Sequence, residues 1–359
     1  MSTVLASTPK TNAAGPAAVT DIHYTICPVF AASNVALELG WLEEEITKAG
    51  GRLNYLFSKA DDQHFLPHFS HEQANLFRDG GNIPSIWAKA DRTDTTLIGL
   101  TWSHQGGHLV VRTDSRIQRV ADLKGRRIAL YKSNNDGKVD WWRATAHRGL
   151  LLALELAGLS ANDAQFVDAA DREDSAWGGG ARPADVWASR SEERRLGPEA
   201  FALRAGEADA LYTSEGRALS LVATGEFKII EDLGRYPDWT LQVNNSPYAI
   251  TVNTELAKKN PEIVVAYLRA AIRAGRWINA NRDAAATILA RTTFYPSVET
   301  VARAIAHTEF VPNLSPRNLA GIEITKRFLL KYGYIKRDFD VQAWAAQQFL
   351  AEAHRSLQG

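Results

Sequence analysis

Short strand-like runs alternate with helix-like runs along most of this 359-residue chain, and that alternation restricts it to α/β architectures. Ile22, Tyr24 and Ile26 alternate with polar residues, as in a strand with one buried face. Ser33 stands where an N-cap would precede a helix over 35–39, and Gly40 follows. Residues 41–48 read as a further helix stopped by Gly50-Gly51, and Leu53, Tyr55 and Phe57 as a second strand. Short apolar strands are expected at 97–102 and 109–111. A loop, a short helix, a glycine stop and a strand follow over 114–130. A helix is expected over 148–159. Residues 168–200 read as irregular, with Gly178-Gly179-Gly180 and a charged run at 192–195 on a solvated loop or helix face. A short helix at 201–206 and strands at 208–212 and 249–252 come next. Helical patterns over 261–281, 298–307, 318–332 and 340–356 complete the chain. The pattern predicts largely parallel sheets, and the length suits two lobes, each burying its own core.

Charge and composition narrow the function. Lys plus Arg and Asp plus Glu are 41 each, so the formal net charge is zero. Nucleic-acid proteins normally carry a basic excess or stripe, so none is expected as partner. No apolar run approaches the roughly 18–20 residues needed to span a bilayer, so no membrane association is expected. Residues 1–20 read as a disordered tail with no apolar core of signal-peptide length, which points to a cytoplasmic protein. Ten Trp residues could line a pocket for a flat apolar ligand or fill cores.

Cys27 is the only cysteine. It cannot form an internal disulfide or build a multi-cysteine metal site, so it is a small buried hydrophobe or a reactive group. It follows the first strand in Tyr24-Thr25-Ile26-Cys27-Pro28-Val29, and strand ends are where open α/β sheets bind ligands. About 40 residues on, His68-Phe69 precedes Arg78-Asp79-Gly80-Gly81-Asn82-Ile83-Pro84. That segment offers a base, a fixed cation and flexible backbone. His64, His68 and His71 have i, i+4, i+7 spacing, but Pro67 interrupts the helix on which they would share a face. No phosphate-binding glycine fingerprint follows a strand, and neither a metal nor an organic cofactor is expected.

The segment order resembles the type II periplasmic-binding-protein fold, in its sulfonate- and pyrimidine-precursor-binding branch. Residues 36–42, Asp114-Ser115-Arg116-Ile117, 122–129 and 205–212 carry that likeness. The two motifs around Cys27 and His68–Arg78, with residues 340–346, resemble the 2'-hydroxybiphenyl-2-sulfinate desulfinases of dibenzothiophene sulfur removal. The resemblance implies two lobes, 21–107 with 249–359 and 108–248, and a ligand cleft between them. The crossings would fall near 107–109 and 246–249.

By the same resemblance Cys27 is the catalytic thiol, His68 its partner and Arg78 the sulfinate clamp, with Phe69, Gly80 and Gly81 in the substrate site. The implied reaction is hydrolytic C–S cleavage of an aromatic sulfinate, releasing sulfite, by a chain acting as a monomer. Ile26 departs from the family's Asn, residues 168–200 do not align, and an aromatic pocket residue near 141–148 aligns poorly. Arg suits a sulfinate because its planar guanidinium can donate two parallel charge-assisted hydrogen bonds. Glycine admits close backbone approach. Cys27 could deliver a proton to the ring carbon bearing sulfur, or its thiolate could attack the sulfur. The sequence leaves both open. The rival reading is a non-catalytic binding protein for a sulfonate or aromatic acid anion. A pyrimidine-precursor synthase of this fold normally carries a cysteine-rich iron-binding segment, which one Cys cannot supply.

Overall fold

The computed structural model describes residues 19–58, 65–104, 106–170, 180–188, 196–244 and 246–358. Gly178, Gly179, the 192–195 run, His64 and most of the N-terminal tail lie outside them.

Among the described residues, ten strands form two five-stranded sheets. The first contains β1 (Thr20–Ile26), β2 (Gly51–Tyr55), β3 (Leu76–Gly80), β4 (Thr95–Thr101) and β10 (Tyr248–Asn253), in the order β2-β1-β3-β10-β4. The second contains β5 (His108–Arg112), β6 (Arg127–Lys132), β7 (Gln165–Ala170), β8 (Ala210–Thr213) and β9 (Phe227–Asp232), in the order β7-β6-β8-β5-β9. Both sheets are mixed, which corrects the expectation of largely parallel pairing. β10 runs antiparallel to both its neighbours, and β5 runs antiparallel to β8 and β9. In each sheet the reversed strand is the one whose chain enters from the other sheet, so it is not laid down by a local strand–helix–strand crossover.

The chain passes from the first sheet to the second between Thr101 and His108, and returns between Asp232 and Tyr248. The helix Pro261–Ala280 buries one apolar stripe and packs against the helices Ala32–Glu38, Trp41–Lys48 and Gln347–Ser356. Its Tyr267 ring stacks on Phe77 of β3 at 4.4 Å. This covers one face of the first sheet with helices and leaves the strand ends free to carry the site.

Several local expectations shift. Ser33 is fully buried inside the helix Ala32–Glu38 rather than capping it; Ala31 is the N-cap. The helix expected at 148–159 spans Trp141–Leu156, because Asp140 caps it seven residues earlier through the Arg143 amide. The stretch read as irregular, 168–200, holds the end of β7, the helix Pro183–Ala188 and the start of the helix Pro198–Arg204. The final helix is two, Val341–Trp344 and Gln347–Ser356. Ala345 bridges to Leu97, and the Ala346 amide donates to the Leu97 carbonyl at 2.9 Å. That edge contact with β4 replaces a helical turn.

Candidate active site

β1, β3 and β10 lie side by side, and their register places Thr25, Arg78 and Thr251 in one row across the sheet. All three are fully buried. Side chains in such a row share a face, and this one is polar across β1, β3 and β10 before it meets Leu97 of β4. The segment between β2 and β3 supplies the partners. Its short helix Pro67–Ser70 holds His68, whose Nδ1 lies 2.6 Å from Thr25 Oγ1. His71 follows in a left-handed conformation at φ 61°, and its Nε2 lies 3.0 Å from Thr251 Oγ1. The turn therefore sends the two histidines to different strands. They do not share the helical face that their spacing suggested.

Cys27 stands at the end of β1, held by its amide donating to the Asp79 carbonyl at 2.9 Å. Asn34 donates to the carbonyls of Cys27 and Val29, fixing the loop that follows. Cys27 Sγ lies 3.4 Å from His68 Nε2 and accepts from Arg78 Nη2 at 3.4 Å. Thr25 and Cys27, two residues apart on one strand, address the same imidazole from its two nitrogens.

Arg78 is wholly buried, and burial lowers its pKa against the opposing pull of Cys27 and Asp79. Its Nε donates to the His68 carbonyl, and its Nη1 donates to the Gly81 carbonyl and Ser85 Oγ at 2.8, 2.8 and 3.0 Å respectively. With the bond to Cys27, four of the five guanidinium N–H groups are committed within the protein. One Nη2 proton remains for a ligand, so the two-donor fork expected of Arg78 is not available. The buried cation is spent chiefly on fixing His68, Gly81 and Cys27.

Burial holds His68 well below the usual imidazole range, and the Arg78 charge adds to the effect. His71 is pushed down to about 3 by the same causes in the same order. Both rings are neutral at neutral pH. Asp79 is raised to about 6, mainly by burial.

The two glycines divide their tasks. Gly80 has φ 154°, and a Cβ there would lie 2.2 Å from Cys27 Sγ. It makes room for the thiol and is not among the residues lining the cavity. Gly81 does line it.

The cavity over Cys27 has a volume of about 170 Å³. Cys27, His68, Phe69, Arg78 and Gly81 form one wall. Phe69 packs edge-on against His68 at 4.8 Å. The other walls come from distant segments: Trp141 and Trp142, Ser214 with Arg217, Tyr248, and Phe294 with Tyr295. The Arg217 guanidinium lies over the Trp142 ring at 5.2 Å, and Trp142 Nε1 donates to Glu199 at 2.7 Å. Beyond an aromatic pocket residue placed near 141–148, these wall residues escaped sequence reasoning, because lone side chains on remote segments carry no spacing. Thr25 was within reach: strand alternation puts it on the same side as Cys27.

No protein-family model matches the chain. It is 30% identical over 362 residues to the 2'-hydroxybiphenyl-2-sulfinate desulfinase of Rhodococcus erythropolis, with 92% of each sequence covered. This chain belongs to the 2'-hydroxybiphenyl-2-sulfinate desulfinase family. The Rhodococcus qingshengii desulfinase matches to the same extent. The crystal structure of the DSZB C27S mutant in complex with biphenyl-2-sulfinic acid is 27% identical with a TM-score of 0.76, covering 94% of this chain and 99% of that one. The periplasmic aliphatic sulphonate binding protein SsuA from Escherichia coli is 18% identical with a TM-score of 0.62, covering 91% and 92% of the two chains. That likeness shows the fold, a two-lobed α/β architecture of the periplasmic-binding-protein type. Among the described residues no helix is long and apolar enough to cross a membrane.

Proposed function

We propose that this protein is an aryl sulfinate desulfinase that cleaves the C–S bond of a 2'-hydroxybiphenyl-2-sulfinate-like substrate by water. The reaction is ArSO2⁻ + H2O → ArH + HSO3⁻. One observation carries the reading: the single thiol faces an aromatic-walled cavity, 3.4 Å from both a neutral imidazole nitrogen and a buried guanidinium. In this reading residues 21–107 with 249–359 form one lobe and 108–248 the other, and a single cytoplasmic chain suffices.

The site favours proton delivery over attack by sulfur. His68 is a poor base in its buried setting, so it does not draw the Cys27 proton away. Passing that proton to the ring carbon bearing sulfur leaves a thiolate, and the Arg78 Nη2–H is in place to stabilise it. The C–S electron pair stays on carbon and becomes the new C–H bond, SO2 departs, and water converts it to bisulfite and a proton that restores the thiol. Phe69, Trp141, Trp142 and Phe294 supply apolar surface for the aryl rings. A sulfonate-binding protein would need the anion site and the aromatic walls. It would not need a thiol in contact with His68.

The test is sulfite release from biphenyl-2-sulfinate by the purified chain, with biphenyl quantified alongside. Equal amounts of sulfite and arene are expected. Tight binding without either product would establish the binding-protein reading.

A further inference from the structure

We propose that the Tyr248 hydroxyl is a substrate-binding donor, bonding one sulfinate oxygen while the remaining Arg78 N–H bonds the other. This rests on the desulfinase reading and adds to it. A sulfinate presents two oxygens that lose water on entering the cavity, and each needs a donor. Arg78 has one uncommitted N–H and Gly81 lines the cavity beside it, but two anionic oxygens accept more hydrogen bonds than these supply, so a further donor on the cavity wall is called for.

Tyr248 is placed to supply it. It lines the cavity together with Cys27, Arg78 and Gly81, and is only 5% exposed. It opens β10, one residue before Ala249, which pairs with Gly80; the strand thus delivers it beside Gly81. Its backbone is pinned on the same side, since Asn82 Nδ2 donates to the Pro247 carbonyl at 3.0 Å. Burial raises the phenol well above its usual range, the Ser103 hydroxyl acts in the opposite direction, and charge on Cys27 raises it further. The group therefore stays protonated, as a donor to an anion must. A neutral donor here adds no positive charge, so it leaves the Arg78–Cys27 balance unchanged.

The experiment is Tyr248→Phe, which keeps the ring and its packing and removes the hydroxyl. KM for biphenyl-2-sulfinate and inhibition by biphenyl-2-carboxylate and by neutral biphenyl are measured for both proteins, with melting temperatures. A hydrogen bond to a charged group accounts for about tenfold or more in affinity. The expected result is a rise of about tenfold or more in KM and in the carboxylate inhibition constant, with biphenyl inhibition and melting temperature unchanged. Unchanged KM and carboxylate inhibition would overturn the proposal, as would equal weakening of biphenyl and carboxylate. If wild type released no sulfite, the desulfinase reading would fail, and the carboxylate-against-biphenyl comparison would still judge Tyr248 as an anion donor.

Discussion

Gly80 and Cys27 compete for one volume: a Cβ on Gly80 would lie 2.2 Å from the sulfur and 2.5 Å from Cys27 Cβ. Backbone strand pairing brings the two residues together, and only the absence of a side chain at 80 admits the thiol. The φ of 154° at Gly80 is a second bar to any other residue. Gly80→Ala should therefore lose stability by about 2–5 kcal/mol, combining backbone strain with overpacking. Sulfite release should fall at least a hundredfold, because the thiol must move away from His68. Thermal denaturation and a sulfite assay check both, and near-normal turnover would show that Cys27 does not need its present position.

Arg78→Lys is expected to act as a structural as well as a functional lesion. Lysine keeps the charge but cannot reach the His68 and Gly81 carbonyls and Ser85 together. Leaving buried acceptors unpaired costs about 1–3 kcal/mol each. A melting temperature lowered by several degrees and loss of sulfite release should appear together. A variant that melts like wild type but binds substrate weakly would mean that Arg78 serves mainly as a ligand clamp.

Acid should destabilise the fold through the histidines. His68 and His71 are held neutral by burial in the folded chain, while the unfolded chain protonates both below about 6.5. Their contribution is present above that pH and is lost as pH falls, for His71 until about 3. Asp79 acts the other way: its folded value of about 6 means that acidification from 6 towards 3.8 relieves a buried charge. Two histidines against one aspartate leave a net uptake of about one proton on unfolding near pH 5, or about 1.4 kcal/mol per pH unit. Melting temperature should fall steadily from pH 6 to pH 4.5, and His71→Gln should flatten the curve. A wild-type curve flat over that range would contradict the burial assignments.

His68→Gln should lower turnover far more than substrate affinity. The ring touches Cys27 and Thr25 through its two nitrogens, so its loss disturbs sulfur orientation before it disturbs the anion. Single-turnover rates and inhibitor binding separate the two effects. A matching loss in both would place His68 on the substrate itself.

The site's inner wall was legible because its parts lie in two short sequence motifs, and adjacent strands β1 and β3 carry Cys27 and Arg78 to the same edge. Strand alternation also exposed the fold class. The direction of β10 was not legible, since it depends on where the chain re-enters the first sheet after leaving it at Thr101 and returning at Tyr248. Nor was the commitment of the Arg78 donors, which is decided by Ser85 and two carbonyls that no residue pattern displays. The outer wall comes from four separate segments of the chain, and only the fold makes Trp142, Arg217, Tyr248 and Tyr295 neighbours.

The most direct test of the account is Cys27→Ser assayed for both binding and chemistry on biphenyl-2-sulfinate. Serine preserves size and the hydrogen bonds around the site, but its hydroxyl is far less acidic than the thiol. The account predicts substrate affinity within a few-fold of wild type and sulfite release at least a thousandfold slower, with no arene formed in a single-turnover experiment. Sulfite and biphenyl released by the serine variant at a rate near wild type would contradict it, and would remove the thiol from the reaction.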